Sequence, residues 1–241
     1  MSKTVIVTGG SGGIGAACAR AFAKAGYNVV VGYLKNAERA NEVVDDIKQQ
    51  GGEAAAFCCD ARSSAACKAL VMFALGAYNR LDAVVCAAGA PLFALAQQIT
   101  DEQQQEVFDI NTFGTMNLCR AAIPAMLARG GAIVTVGSMW GETGAACESA
   151  YSASKGAVIA YTKALAKELA PSGITVNCVS PGFIDTAMNA ALSGEAVAAV
   201  IEQTPLARAG SPDEVAAAAL ALATNPFITG QVLGVNGGLV I

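Results

Sequence analysis

Short apolar runs recur along the chain, and each is bounded by glycine, proline or polar residues that favour turns. Most are rich in valine, isoleucine or alanine and lack a strict alternation of polar and apolar positions. Such runs are typical of strands that are buried on both faces of a parallel sheet. We predict seven strands: Val5–Val7, Val29–Val31, Ala54–Cys59, Ala83–Cys86, Ala132–Val136, Ile174–Val179 and Gln231–Val235.

The segments between these runs have helical character. One of them, Asn36–Gln50, carries a polar face, and Pro212 followed by two acidic residues is a strong helix start. Pro124 is expected to break or bend the helix that contains it. The predicted helices are Ala16–Ala25, Asn36–Gln50, Ser63–Ala77, Thr100–Arg129, Tyr151–Ala170, Thr186–Gln203 and Ser211–Ala223.

This alternation predicts an α/β fold, with a doubly wound seven-stranded parallel sheet and helices on both faces. The 241 residues contain no linker, repeat or low-complexity segment, so we expect a single domain over residues 1–241. The composition is 54% hydrophobic and only 14% charged. Apolar surface is therefore expected to be buried within the monomer or between subunits, which favours a homo-oligomer.

The charge pattern and the start of the chain limit which classes of partner are expected. The net charge is −4, and no cluster of lysine and arginine indicates a nucleic-acid or anionic-membrane surface. The chain enters its first strand at once, without a signal peptide, and has no uninterrupted apolar run of about 18 residues. We expect a soluble, cytoplasmic protein with neither nucleic acid nor membrane as a partner.

The chain has eight cysteines and no histidine. No C-x-x-C pair occurs, so we expect no metal site and interpret the cysteines as small buried hydrophobic residues. The absence of histidine excludes Ser-His-Asp and Cys-His catalysis. Any acid–base chemistry must use tyrosine, lysine, aspartate or glutamate.

Tyr151 and Lys155 are four residues apart in a predicted helix, so their side chains share one face. A fixed positive charge close to a phenol favours the phenolate and lowers its pKa. The pair can then exchange protons with an alcohol or a carbonyl. By itself the spacing is common in helices, and its significance depends on the rest of the chain.

A glycine-rich loop joins the first strand to the first helix, with Gly9, Gly13 and Gly15 in a G-x-x-x-G-x-G pattern. Glycines permit a tight turn and close approach of a pyrophosphate, which the helix N-terminus attracts. The context predicts a dinucleotide site in a Rossmann fold. The end of the second strand, Tyr33 to Lys35, has a cation and no acidic residue, which favours NADP(H) over NAD(H).

Several of these features occur together, and with them the whole chain resembles the short-chain dehydrogenase/reductase family. The resemblance rests on the loop Thr8–Gly15, Asn111, Ser138 placed 13 residues before Tyr151, Lys155, and Pro181–Gly182. It implies that Tyr151 is the acid/base, that Lys155 lowers its pKa and binds the nicotinamide ribose, and that Ser138 polarises a substrate carbonyl. Asn111 would support a proton relay through water to Lys155.

The resemblance also implies a cofactor site in which Asp60 contacts adenine, with a substrate lid around residues 186–205. The predicted cofactor-binding residues are Gly9, Ser11, Gly13, Ile14, Gly15, Tyr33, Lys35, Asp60, Ala88, Gly89, Tyr151, Lys155, Pro181, Gly182, Ile184 and Thr186. One departure is Cys86-Ala87, where the family usually has two asparagines that brace the sheet. We expect altered local hydrogen bonding there. A homotetramer is also implied.

Two branches of the family are similar to the chain. The whole chain looks most like 3-oxoacyl-(acyl-carrier-protein) reductases, for which basic residues such as Arg129 or Arg208 would serve an acyl carrier. The segment from Ser138 to Glu148 is similar to reductases of the 5-aminopentanone ketone on a modified lysine of bacterial elongation factor P, and there Glu148 would pair with a substrate amine while Trp140 walls the pocket. A catalytically silent dinucleotide-binding scaffold is the alternative from another class.

Overall fold

The strands form because their apolar runs can be covered from both sides. The computed structural model describes residues 2–189 and 193–241. In this part of the chain, one parallel sheet of seven strands has the order β3-β2-β1-β4-β5-β6-β7. The strands are β1 Thr4–Thr8, β2 Asn28–Tyr33, β3 Ala54–Cys58, β4 Ala83–Cys86, β5 Gly131–Val136, β6 Ile174–Pro181 and β7 Val232–Val235.

Helices connect the strands and cover both faces of the sheet. They are α1 Gly13–Lys24, α2 Ala37–Gln49, α3 Ser64–Tyr78, α4 Asp101–Phe108, α5 Gly114–Met126, α6 Met139–Thr143, α7 Ser149–Leu169, α8 Gly194–Gln203 and α9 Pro212–Thr224. The predicted α/β fold with a doubly wound sheet is confirmed. None of the described helices combines the length and the apolar character needed to cross a membrane.

Alternation along β1 divides the core into two layers. Val5 and Val7 pack with α1, α2 and α9 on one face, whereas Ile6 packs with α3, α5 and α7 on the other. The strand order reverses between β1 and β4, which pair directly. In a sheet of this kind the crevice at the carboxyl ends of such strands is where ligands bind.

Several predicted helices differ in detail from the structure, and α1 begins three residues before its predicted start at Ala16. The predicted helix Thr100–Arg129 is interrupted not at Pro124, which lies inside α5, but at a π-helical turn, Asp109–Phe113. The Gly114 amide donates to the Asp109 carbonyl across this wider turn. α7 begins two residues before Tyr151.

The predicted helix Thr186–Gln203 consists of a 3₁₀ turn, Ala187–Asn189, followed by α8. The part of this prediction that falls on residues 190–192 lies outside the described residues. α6, which was not predicted, begins directly after Ser138.

Candidate active site

The glycine loop is packed too closely for side chains. A Cβ on Gly15 would lie 2.2 Å from the Gly9 carbonyl oxygen, and Gly9 itself has φ +66°. The N-cap of α1 is Gly12, which has no side chain to cap the helix, and the first turn has no acidic residue. Backbone N–H groups at the start of α1 therefore remain available to an anion such as a pyrophosphate.

A cavity of 730 Å³ opens beside this loop at the carboxyl edge of the sheet. Most of the predicted site residues line it: Gly9, Ser11, Gly13, Ile14, Gly15, Gly89, Ser138, Tyr151, Lys155, Pro181, Gly182, Ile184 and Thr186. The predicted residues that are not among its lining are Tyr33, Lys35, Asp60, Ala88 and Asn111. The fold thus brings residues from the glycine loop, the segment after β4, the end of β5, α7 and the end of β6 to one space.

Tyr151, Ser138 and Lys155 meet in this cavity. The Lys155 ammonium lies 5.9 Å from the centre of the Tyr151 ring and donates to the Val136 carbonyl oxygen at 2.9 Å. Ser138 caps α6 by accepting the Trp140 amide at 3.2 Å, and its hydroxyl also interacts with the Tyr151 phenol. A carbonyl compound in the cavity would therefore meet two hydroxyl donors with a cation beside them.

The electrostatics differ from the sequence prediction. Burial raises the pKa of Tyr151, and the hydrogen bond with Ser138 offsets only part of that effect. Burial also lowers the pKa of Lys155 to about 8. The predicted lowering of the Tyr151 pKa by Lys155 is not seen in the isolated chain, where desolvation of the phenol is the largest cause of the shift. Tyr151 is consequently held in the protonated form, which suits a proton donor.

Asn111 lies behind the cavity wall, fully buried in the π-helical turn. Its amide oxygen accepts the Ala90 N–H at 2.8 Å, while its amide nitrogen donates to the Ala90 carbonyl and to the Ser154 hydroxyl, both at 3.0 Å. The Ser154 hydroxyl in turn donates to the Tyr151 carbonyl at 2.7 Å. Asn111 thus ties the loop after β4 to the turn of α7 that carries Tyr151 and Lys155.

Sequence reasoning did not identify Ser154 as part of this arrangement. The local signal was merely a serine between Tyr151 and Lys155 in a helix whose other residues are largely apolar. Its role as the link to Asn111 depends on a contact across 43 positions of the chain, which no local pattern reports.

Tyr33, Lys35 and Asp60 lie at or just after the ends of the neighbouring strands β2 and β3. The Cys59 amide donates to the Tyr33 carbonyl at 2.6 Å, which places Asp60 close to the end of β2. The Asp60 carboxylate is bound by the Arg62 guanidinium at 2.7 to 3.0 Å, and this pairing lowers the pKa of Asp60. The exposed Lys35 stands on the same rim.

Cys86, at the departure from the family pattern, is buried in the core. The Cys86 sulfur lies 3.8 Å from the Cys119 sulfur in the core, so a weak thiol contact occupies the position where an amide would brace the sheet. The contact with Cys119, together with burial, raises the pKa of Cys86 well above its ordinary value. A thiol with a raised pKa is less reactive. Six of the eight cysteines are buried, but Cys58 is exposed and Cys147 is half-buried, so the interpretation of the cysteines as buried residues is wrong for these two.

Of the residues proposed to contact a substrate, two line the cavity and two do not. Glu148 and Trp140 line the cavity, and burial raises the pKa of Glu148. Arg129 lies just before β5, at the amino edge of the sheet, and is not among the residues that line the cavity. Arg208 pairs with Glu214 at 2.5 Å and lines a separate cavity of 460 Å³.

Comparison with known proteins agrees with this geometry. The family model described as Enoyl-(Acyl carrier protein) reductase matches residues 9–240. A 3-oxoacyl-(acyl-carrier-protein) reductase FabG from Chlamydia muridarum is 39% identical and covers 99% of this chain and 98% of its own. The chain belongs to the short-chain dehydrogenase/reductase family. It is an oxidoreductase.

Two solved structures have closely similar folds. A single-residue variant of actinorhodin polyketide ketoreductase, crystallised with NADPH, has a TM-score of 0.94 at 34% identity, covering 99% of this chain and 97% of that one. A dehydrogenase/reductase from Sinorhizobium meliloti also has a TM-score of 0.94, at 38% identity, covering 99% and 95%.

Proposed function

We propose that the protein reduces a ketone to a secondary alcohol with NADPH as the hydride donor. The observation that carries this proposal is that Ser138, Tyr151 and Lys155 share one cavity with the glycine loop. Bound NADPH supplies the hydride. Tyr151 donates the proton to the carbonyl oxygen, and Ser138 orients that oxygen through a hydrogen bond. Lys155 contributes positive charge and binds the nicotinamide ribose.

The remaining cofactor contacts follow the predicted set. The uncapped start of α1 and the close packing of Gly9 against Gly15 support pyrophosphate binding there. Ala88, Gly89, Pro181, Gly182, Ile184 and Thr186 are proposed to surround the nicotinamide half. Residues 186–205 are proposed as the substrate lid, since Met188 and Val200 line the same cavity. Asp60 is proposed to contact the adenine while paired with Arg62.

The preference for NADPH is supported by the exposed Lys35 and the lack of an acidic side chain at the end of β2. We expect kcat/KM to be higher with NADPH than with NADH. Lys35→Ala should lower kcat/KM for NADPH by about 10-fold, because a charge-assisted hydrogen bond to the 2′-phosphate is lost. Steady-state kinetics with both cofactors measures this. The value for NADH should not change, and a wild-type protein that prefers NADH would contradict the proposal.

The first substrate candidate is a 3-oxoacyl group on an acyl carrier protein, as in the relative from Chlamydia muridarum. The second is a ketone that also carries an ammonium group, such as an aminopentanone on a modified lysine. Glu148 favours the second candidate because it lines the cavity as a partly buried carboxylate. Such a group gains most from pairing with a cation.

Glu148→Gln separates these candidates. The variant keeps the size of the side chain and removes its charge. With an aminopentanone-modified lysine peptide, we expect kcat/KM to fall by about 10-fold or more, because a partly buried ion pair is lost. With an acetoacetyl thioester it should stay unchanged. NADPH consumption with both substrates measures the effect. Equal loss on both would contradict a pairing role, and NADPH binding without turnover of any ketone would favour the silent scaffold.

We also propose that the protein works as a cytoplasmic homotetramer. Exposed apolar side chains on and near the long helices support subunit contacts there, since Phe113 is 47% and Leu127 is 49% exposed in the single chain. The low content of charged residues is consistent with further burial between subunits.

A further inference from the structure

A side-chain hydrogen bond joins the short helix α6 to the end of β6. The Glu142 carboxylate accepts a hydrogen bond from the Ser180 hydroxyl. Ser180 is fully buried and directly precedes Pro181 at the end of β6. Glu142 is exposed as a residue and does not line the cavity. Its carboxylate therefore acts on the site only through what it holds in place.

Two other contacts of α6 lead to the catalytic groups. At its start, the Trp140 amide donates to the Ser138 hydroxyl at 3.2 Å. In its middle, Gly141 packs so closely on α7 that a Cβ there would lie 2.8 Å from the Lys155 carbonyl carbon. A helix of five residues is not stable by its own hydrogen bonds and takes its position from such contacts.

We propose that Glu142 is a positioning residue for the reduction, acting together with Ser180. The carboxylate–hydroxyl bond holds α6 on the end of β6, and it thereby fixes the Ser138 hydroxyl relative to the Pro181–Gly182 segment. A hydrogen bond to an ionised acceptor is shorter and stronger than a neutral one, which suits a point of attachment. The inference rests on the proposed function, because Ser138 matters here as the group that orients the substrate carbonyl.

A double-mutant cycle tests the proposal. Glu142→Ala and Ser180→Ala should each lower kcat for ketone reduction by about 10-fold, since small displacements of an orienting group are costly. KM for the ketone should change little. The double variant should be no slower than the slower single variant, because both changes remove the same bond. Effects that multiply would overturn the inference, as would single variants with wild-type kcat.

Glu142→Gln supplies the rescue. The amide keeps an oxygen that can accept from the Ser180 hydroxyl, so kcat should recover to within about 3-fold of the wild type, as expected for a neutral hydrogen bond of similar geometry. A Gln variant as slow as the Ala variant would overturn the positioning role. Thr143→Val is the matched control in the same helix, since the Thr143 hydroxyl bonds to the backbone oxygens of Met139 and Gly144 and not to β6.

The folding of the variants and the proposed function are checked separately. Glu142 is exposed, and Ser180→Ala removes one oxygen without leaving a large cavity, so thermal unfolding midpoints should stay within about 4 °C of the wild type. If the wild-type protein oxidises no NADPH with any ketone, the proposed function fails. An active wild type with unaffected Glu142 variants would defeat only the positioning role.

Discussion

Tyr151→Phe is expected to lower kcat for ketone reduction by about 10²–10⁴-fold, the usual contribution of a positioned general acid. The variant keeps the ring that lines the cavity and removes only the hydroxyl that donates the proton. Burial raises the pKa of Tyr151, so the wild-type phenol is protonated at neutral pH and ready to act as an acid. Single-turnover oxidation of bound NADPH in the presence of a ketone measures the loss.

Two further measurements show whether the effect of Tyr151→Phe is specific to catalysis. The dissociation constant for NADPH should stay close to the wild-type value, because Tyr151 is one of many predicted cofactor contacts and the glycine loop and Lys155 remain in place. Tyr161→Phe is the matched control: it lies on the same helix, and its phenol packs near Cys119 away from the cavity lining. A Tyr151→Phe variant with nearly normal kcat would remove the acid role from this residue.

Lys155→Met should lower kcat/KM by about 10²-fold or more and weaken NADPH binding. A desolvated positive charge strongly stabilises the negative charge that develops in the transition state, and the variant loses it. Methionine fills most of the space of the buried side chain without its charge. Lys163→Met, an exposed change on the same helix, should leave both parameters unchanged. Full activity in Lys155→Met would contradict the proposed role.

The pH dependence gives this prediction a second readout. Burial lowers the pKa of Lys155 to about 8, so the side chain is charged below that pH and neutral above it. Wild-type kcat/KM should therefore fall as pH rises past about 8, and the Lys155→Met variant should lack this step. A wild-type profile that stays flat well above pH 8 would count against the charge of Lys155.

The effect on stability has the opposite sign. Between about 8 and the ordinary value of 10.5, the unfolded chain binds a proton at Lys155 that the folded chain has released. The Lys155 contribution to the free energy of unfolding therefore rises with pH across this window. Loss of activity above pH 8 would then occur while this contribution increases, which separates deprotonation of Lys155 from unfolding. Denaturant titrations of wild type and Lys155→Met measure the difference.

Local patterns were sufficient for much of the fold. A buried strand is encoded as a short apolar run, so a strand such as Ile174–Val179 can be predicted without knowing which residues it contacts. The Gly9–Gly15 loop was identifiable because its position between a strand and a helix constrains what it can do. In the same way, the spacing of Tyr151 and Lys155 follows from helix geometry alone.

The sequence by itself determined the α/β fold, the glycine loop and the shared face of Tyr151 and Lys155, and the family resemblance added Ser138 to that pair. Only the tertiary structure decided that Asn111 stands behind the cavity and that Glu142 reaches Ser180. It also decided the direction in which the pKa of Tyr151 shifts. The physical reason is that these properties depend on burial and on contacts between distant parts of the chain, whereas helix and strand periodicity reports only neighbours along it.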